Sequence, residues 1–237
     1  HETMRGKDLY ILSDVFNYGV TYKMRGMTVP MSPDDHYADL KRVISAVGGK
    51  ARRITVIMPM LYEGRQHKRS GRESLDCAQA LEELQNLGVD CILTFDAHDS
   101  TIYNAIPGTS FENIYPTYSM LKCFIKNEGN DIFKDNMTVI SPDTGAMDRA
   151  IYYANVLGLD VGMFYKRRDH TRIVNGKNPI IAHEFLGSNV KGKDLIVIDD
   201  MISSGDSMLD IAREMKSRGA RNIYCTATFA LFTDGIN

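Results

Sequence analysis

The chain has 237 residues, of which 43% are hydrophobic and 24% are charged, as is usual for a folded globular protein and unusual for a disordered one. The formal net charge of −2 argues against nucleic acid as a partner, because nucleic-acid-binding domains are usually strongly basic. No apolar run approaches the roughly 20 residues that a membrane-spanning helix needs, so we expect no membrane contact. The length suits one large domain or two domains of about 100–150 residues.

The four cysteines form no C-x-x-C pair, which argues against a zinc site or a redox dithiol. We therefore expect reduced thiols and a cytoplasmic protein. The sequence starts at His1 and opens almost directly on a predicted strand. We expect that further residues precede it in the complete protein.

Short runs of strand-forming residues alternate with helical patterns along the chain. Most of the runs are apolar on both faces, as strands buried in a parallel sheet are. The predicted strands are Asp8–Leu12, Ile54–Met58, Cys91–Phe95, Met137–Ile140, Val161–Tyr165, Leu195–Ile198 and Ile223–Phe229.

Three of the intervening segments carry apolar residues at helical spacing, and each pattern ends at a glycine. These predicted helices are Pro33–Val47, Glu73–Leu87 and Ser207–Ser217. The alternation predicts an α/β fold with mostly parallel sheets flanked by helices. The pattern runs twice, in units 1–118 and 119–237, and residues 127–136 are a polar surface connection.

Ligands of such sheets bind at the carboxyl ends of the strands. There, the predicted strand Leu195–Ile198 runs into two acids, then small residues, then a helix. Backbone N–H groups of a small-residue loop at a helix N-terminus bind phosphate, while carboxylates can accept hydrogen bonds from sugar hydroxyls. A tight turn with helix-capping serines is the structural alternative. The predicted sugar-phosphate site comprises Asp199, Asp200, Ser203, Ser204, Gly205, Asp206 and Ser207.

This loop resembles the phosphoribosyl-diphosphate signature shared by phosphoribosyltransferases and ribose-phosphate pyrophosphokinases. Asp206 departs from it, since the family usually has a small residue there. The segment 59–73 resembles the pyrophosphokinase ATP segment, whose Arg-Gln pair corresponds to Arg65 and Gln66. Residues 95–99 resemble the family's Asp-x-His motif, which implies that His98 binds ATP and its magnesium ion.

Two further segments extend the resemblance to pyrophosphokinases. Residues 141–149 resemble the Ser-Pro-Asp-x-Gly-Gly segment, with Ala146 in place of the second glycine. This implies that Asp143 binds metal and that Arg149 lies near the ATP phosphates. Residues 165–169 resemble the start of the catalytic loop, with Lys166 and Arg168 in the catalytic positions.

The resemblance covers essentially the whole chain in the correct order. It implies two tandem phosphoribosyltransferase-like units and transfer of the diphosphoryl group of MgATP to the C1 hydroxyl of ribose 5-phosphate. The products would be AMP and phosphoribosyl diphosphate, a precursor in nucleotide biosynthesis. It also implies Mg²⁺ as cofactor and self-association from dimers to a hexamer.

Two alternatives stay open. A phosphoribosyltransferase uses the same loop but normally needs one unit and no ATP segment. A catalytically silent regulatory homologue would keep the fold and lose site residues, whereas the matching positions are present here. The family's Arg-Phe-x-Asp-Gly-Glu segment and its last strand and helix do not occur in this sequence, and we expect them in residues beyond those given.

Overall fold

The computed structural model describes residues 3–69, 71–129, 132–133, 136–168 and 180–235. Contacts divide the chain into two compact units, His1–Pro116 and Thr117–Asn237. Each unit has a mostly parallel sheet with helices, which confirms the predicted fold class. In the described part of the chain, no helix is long and apolar enough to cross a membrane.

The first unit is built around a four-stranded parallel sheet in the order β1-β4-β5-β6. A separate antiparallel hairpin, β2-β3, precedes the first helix. The elements in chain order are β1 (Asp8–Leu12), β2 (Thr21–Met24), β3 (Met27–Pro30), α1 (Pro33–Val47), β4 (Arg53–Ile57), α2 (Asp76–Asn86), β5 (Cys91–Phe95), a 3₁₀ helix (Ser100–Ala105) and β6 (Ser110–Ile114).

Helix α1 has the predicted bounds because local signals fix both of its ends. Ser32 and Asp35 form a capping box: the Asp35 N–H donates to Ser32 Oγ at 3.1 Å, and the Ser32 N–H donates to Asp35 Oδ2 at 2.9 Å. Gly48 ends the helix in the left-handed conformation, with φ of 57°. Leu40 and Ile44 of this helix are buried in the core of the unit.

The second unit has a five-stranded sheet in the order β11-β10-β7-β8-β9. All of its neighbouring strands are parallel except β8 and β9. Its elements are α3 (Thr117–Glu128), β7 (Met137–Ser141), α4 (Met147–Leu157), β8 (Asp160–Arg168), β9 (Ile180–Leu186), β10 (Asp194–Ile202), α5 (Asp206–Ser217) and β11 (Ile223–Ala230).

The order of these strands reverses between β7 and β10. The chain leaves β7 through α4 to β8 on one side, and leaves β10 through α5 to β11 on the other. In open α/β sheets, the crevice at such a reversal is where ligands bind, outside the carboxyl ends of the strands. The ends of β7 and β10 therefore mark the expected binding edge of this unit.

Strand β10 is longer than the sequence predicted. It runs to Ile202, four positions beyond Ile198, because its end continues to pair with β11, for example Met201 with Phe229. The prediction that Asp199 and Asp200 belong to a loop is therefore wrong. They lie in the strand, and α5 starts at Asp206, one residue before the predicted Ser207.

The other end of β10 is anchored by a buried carboxylate. Asp194, only 3% exposed, accepts hydrogen bonds from Arg221 Nε at 2.7 Å and from Arg221 Nη2 at 2.6 Å. It also accepts from the Asn222 backbone N–H at 3.1 Å. The Arg221 hydrogen bonds, above all, hold the pKa of Asp194 below its usual value. The start of β10 is thereby tied to the residues just before β11.

Candidate functional site

Three carboxylates lie at the binding edge of the second unit. Asp199 and Asp200 end the buried part of β10, and Asp143 follows β7. Asp200 is 2% exposed, and its backbone N–H donates to Asp199 Oδ1 at 2.9 Å. The topology thus brings Asp143 close to an acid pair that lies more than fifty residues later in the sequence.

Burial raises the pKa of Asp199 to about 7, and the neighbouring Asp200 carboxyl and the charge of Asp143 add to this effect. Arg149, on α4, opposes it weakly, since its Nη1 lies 3.9 Å from Asp199 Oδ1. That distance is at the outer limit of an ion pair. Among the described side chains of this edge, the three acids outnumber Arg149, which favours binding of a cation or of hydrogen-bond donors.

The raised pKa predicts that Asp199→Asn stabilises the ligand-free protein more at high pH than at low pH. The pKa of this carboxyl is about 7 in the folded protein and about 4 in the unfolded chain. Between these two pH values the group is mostly protonated when folded and mostly ionised when unfolded. Stability therefore falls as the pH rises from about 4 to about 7, because only the unfolded chain releases this proton there, and the full penalty is present above pH 7. We expect the gain in the free energy of unfolding to be larger at pH 8 than at pH 5 by on the order of 2 kcal/mol. Urea unfolding at both values measures it.

Asp206→Asn is the matched control for this experiment, because Asp206 is exposed at the start of α5. It should leave the difference between the two pH values unchanged. A gain for Asp199→Asn that is equal at pH 5 and pH 8 would contradict the raised pKa.

The Asp143 carboxylate is fixed by the turn that precedes α4. Its Oδ1 accepts the backbone N–H groups of Gly145 at 2.8 Å and Ala146 at 3.1 Å, while Ser141 Oγ donates to the Asp143 carbonyl at 2.7 Å. Ala146 is the N-cap of α4 with φ of −88°, a conformation open to any residue. The alanine therefore replaces the usual glycine of this motif without backbone strain.

Between β10 and α5 the connection is reduced to Ser203, Ser204 and Gly205. Gly205 is the N-cap of α5 with φ of +94°, a conformation that favours glycine, and it offers no side-chain cap to the first N–H groups of the helix. Ser204 Oγ donates to Asp206 Oδ2 at 3.1 Å. The first N–H groups of α5 lie in the segment that the sequence predicts to bind phosphate, and the Asp206 N–H donates to Ser204 Oγ at 3.4 Å. Phosphate binding there stays a prediction.

Substitutions of Asp206 test whether this loop binds phosphate as predicted. Because its side chain is exposed, we expect Asp206→Gly to change the affinity for ribose 5-phosphate by less than about threefold. Isothermal titration of the wild type and the variant measures this, with Asp206→Asn separating charge from backbone freedom. A much larger gain would show that the acid, by engaging the Ser204 hydroxyl, opposes phosphate binding.

In the first unit, the predicted ATP residues lie on two neighbouring segments. Arg65 is exposed, and Gln66 Nε2 donates to the Ser74 carbonyl at 2.9 Å, which closes the loop between them. His98 is exposed in the turn after β5. The structure brings the two segments together through His67, whose ring centroid lies 5.3 Å from that of His98. Sequence reasoning missed His67, although it directly follows Gln66.

His67 also faces Asp99, whose Oδ2 lies 3.4 Å from His67 Nε2. Burial alone would raise the pKa of Asp99. Hydrogen bonds from Thr101, assisted by the nearby His67 and Lys68, outweigh burial and hold the pKa below its usual value. Asp99 is therefore an ionised acceptor at neutral pH.

The two predicted catalytic residues lie in β8, but their side chains fall outside the described residues, as does Asp169. Lys166 pairs with His183 of β9, and the register shifts between Arg167 and Arg168. Such irregularities often occur next to active sites. One position earlier, the Tyr165 hydroxyl donates to Glu184 Oε2 across the two strands.

Comparison with known proteins agrees with this arrangement. The family model described as the phosphoribosyl transferase domain matches residues 113–233, about half of the chain, and that for the N-terminal domain of ribose phosphate pyrophosphokinase matches residues 1–88. The chain belongs to the ribose-phosphate pyrophosphokinase family. This confirms the resemblance seen in the motifs.

Named relatives of this family match most of the chain. The ribose-phosphate pyrophosphokinase of Vibrio parahaemolyticus is 29% identical over 237 residues, which are 98% of this chain and 67% of that protein. The one from Corynebacterium efficiens is 32% identical over 187 residues, 78% of this chain and 55% of that protein. The crystal structure of phosphoribosylpyrophosphate synthetase from Mycobacterium smegmatis superposes with a TM-score of 0.78 and 25% identity, covering 97% of this chain and 67% of that one. The match thus spans about two thirds of the length of the Vibrio and Mycobacterium proteins and just over half of the Corynebacterium protein.

Kinase-type enzymes such as the pyrophosphokinases generally use a metal ion. Among the described residues, no group of three or more potential ligands is close enough to form a complete metal site. The carboxylates of Asp143, Asp199 and Asp200 do offer the oxygen ligands that Mg²⁺ prefers, and Mg²⁺ commonly takes only one or two carboxylates beside waters and phosphates. The donor set therefore fits a magnesium ion that arrives with its substrate.

Proposed function

We propose that the protein transfers the diphosphoryl group of MgATP to the C1 hydroxyl of ribose 5-phosphate, giving phosphoribosyl diphosphate and AMP. One observation carries this proposal: a carboxylate cluster and an anion-ready helix start lie at the strand-order reversal of a pyrophosphokinase-family unit. The carboxylates suit a sugar diol or a cation, and the helix start suits a phosphate. Together they match a phosphorylated sugar.

Ribose 5-phosphate would bind along the end of β10. The backbone N–H groups of Ser203–Ser207 would hold its 5-phosphate, and the hydroxyls of Ser203, Ser204 and Ser207 would add donors. Asp199 and Asp200 would accept hydrogen bonds from the ribose hydroxyls. This would orient the C1 hydroxyl toward the binding edge, where positioning supplies much of the rate acceleration of a phosphoryl-type transfer.

Each unit carries residues that the family resemblance assigns to ATP. In the first unit, Arg65 and Gln66 would contact adenine and phosphate, and His98 would bind MgATP. In the second, Asp143 would offer its carboxylate to the metal, and Arg149 would contact phosphate oxygens. A bound Mg²⁺ would neutralise phosphate charge and orient the β-phosphorus for in-line attack.

Lys166 and Arg168 would stabilise the negative charge that develops on the transferring group. Both lie on the strand that precedes the family's catalytic loop. We also propose self-association from dimers to a hexamer, by analogy with the family. A cytoplasmic location is likewise a proposal, which rests on the four free thiols.

A coupled assay for AMP, run with ATP, ribose 5-phosphate and Mg²⁺, tests the proposed function. We expect AMP formation that requires all three components and that fails when ribose replaces ribose 5-phosphate. Consumption of phosphoribosyl diphosphate with a nucleobase, in place of AMP formation, would instead make the protein a phosphoribosyltransferase. Substrate binding with neither reaction, in a full-length protein, would support a silent regulatory homologue.

A further inference from the structure

His67 is a buried imidazole next to an exposed one. Its side chain is only 11% exposed, and its ring is inclined by 58° to the ring of His98 at a centroid distance of 5.3 Å. On the edge that faces the turn after β5, His67 Nε2 lies 3.4 Å from Asp99 Oδ2. The ring thus contacts both residues that follow Ala97.

The other ring nitrogen is unusual. His67 Nδ1 is buried and has no hydrogen-bond partner within the described residues. Nε2 faces the Asp99 carboxylate and carries a hydrogen toward it, which leaves the buried Nδ1 as the ring nitrogen without a partner. Buried polar atoms are nearly always paired, so a side chain kept in this state calls for an explanation beyond packing.

The turn that carries His98 has an unfavourable backbone conformation, and side chains from other segments hold it in place. Asp96, two residues before it, has φ of +42°, which is strained for a residue with a side chain. Asn113 Oδ1 supports the turn by accepting the Ala97 N–H at 3.0 Å. Thr101 fixes the far side of Asp99 by donating its N–H and hydroxyl to Oδ1, at 2.8 and 2.7 Å. Asp99 Oδ2 then faces His67, so the segment 59–73 contacts this turn through the His67 ring.

We infer that His67 is a positioning residue for ATP: through its polar contact with Asp99 and its packing on His98, it sets the place of His98 relative to Arg65 and Gln66. The inference rests on the proposed function, in which those three residues bind the nucleotide. His67 exposes only 11% of its side chain, so we place it behind the residues that contact ATP and not among them. Its effect must therefore appear in ATP binding and leave ribose 5-phosphate binding, in the other unit, unchanged.

Two substitutions separate the polar contact with Asp99 from packing on His98. His67→Phe keeps an aromatic ring against His98 and loses the donor to Asp99, whereas His67→Gln can place an N–H near the position of Nε2. We expect the KM for ATP to rise about tenfold in His67→Phe, with the KM for ribose 5-phosphate unchanged. In His67→Gln the KM for ATP should stay within about threefold of wild type.

His36→Phe is the matched control, since His36 is a half-buried histidine of the same unit that bonds to the Asn17 carbonyl at 2.9 Å, away from this cluster. It should not change either KM. Calorimetric titration with ATP in place of the assay, alongside thermal unfolding, tests His67 without turnover. If the wild type makes no AMP but binds ATP, the proposed function fails while the titration still decides the role of His67.

Three results would overturn the inference. In the first, His67→Phe binds ATP as tightly as wild type. In the second, both KM values rise together with a fall in melting temperature, which would make His67 a purely structural residue. In the third, the wild type does not bind ATP.

Discussion

Replacing Lys166 with alanine should lower kcat by about two to three orders of magnitude and leave ribose 5-phosphate affinity unchanged. A cation that stabilises charge only in the transition state is worth about 3–4 kcal/mol when removed, by analogy with an oxyanion donor. At about 1.4 kcal/mol per tenfold change, this corresponds to the expected loss. The proposed sugar-phosphate residues lie at the end of β10, in the short connection after it and at the start of α5, whereas Lys166 lies on β8. The AMP assay measures kcat, and calorimetric titration measures the affinity.

Lys191→Ala is the matched control, because Lys191 is an exposed lysine of the same unit. It lies just before the N-terminal end of β10, whereas the candidate site lies at the C-terminal ends of the strands. It should retain normal turnover. Normal turnover in Lys166→Ala would remove this lysine from the mechanism. A simultaneous loss of ribose 5-phosphate binding would show that the substitution disturbs the fold instead.

Asp194→Ala should lower the free energy of unfolding by about 3 kcal/mol at pH 7, because it removes the buried acceptor of a charged hydrogen-bonded pair. The Arg221 side chain is 59% exposed, so its guanidinium regains water, which limits the cost. Asp194 itself is nearly fully buried, and its loss leaves the Asn222 N–H without its acceptor. Urea unfolding of the wild type and the variant measures the difference.

The same pair predicts how this difference depends on pH. A carboxyl whose pKa is lowered in the fold contributes its stability above its unfolded pKa, near 4, and loses it as the pH falls through the lowered folded value. The wild type and Asp194→Ala should therefore converge below about pH 4. Asp210→Ala, which removes the exposed partner of Arg213, should have little effect at either pH. An equal gap at pH 7 and pH 3 would show that Asp194 acts through packing alone.

Local signals predicted the elements whose ends are fixed by their own residues. Strands β1 and β5 and helix α1 have the predicted bounds, since a capping box and a left-handed glycine define the helix. Strand β6 was missed because its exposed and half-buried residues alternate, which removes the continuous apolar run. Helix α3 was missed because only Thr117 of its residues is fully buried, so its apolar stripe is weak.

The candidate site could be predicted from the sequence only where its residues are contiguous in one segment. The acids and small residues from Asp199 to Ser207 form one continuous segment, which predicts a ligand site from sequence alone. Pairing with β11 places the first part of this segment in strand β10. The role of His67 depends on Asp99, thirty-two positions away, and on an unpaired ring nitrogen. The charge of Asp143 near Asp199 depends on strand order. Neither relationship is encoded in a local pattern.

Helices α1 and α5 differ in which groups accept hydrogen bonds from the N–H groups of their first turns. Helix α1 closes its first turn with its own Ser32 and Asp35, whereas Gly205 gives α5 no such closure. An anion held there would serve as the missing part of the fold, and a ligand at a hundred times its Kd adds about 2.7 kcal/mol of stability. The lifetime of this protein in a cell would then follow the supply of its sugar phosphate, so that substrate scarcity would remove idle enzyme.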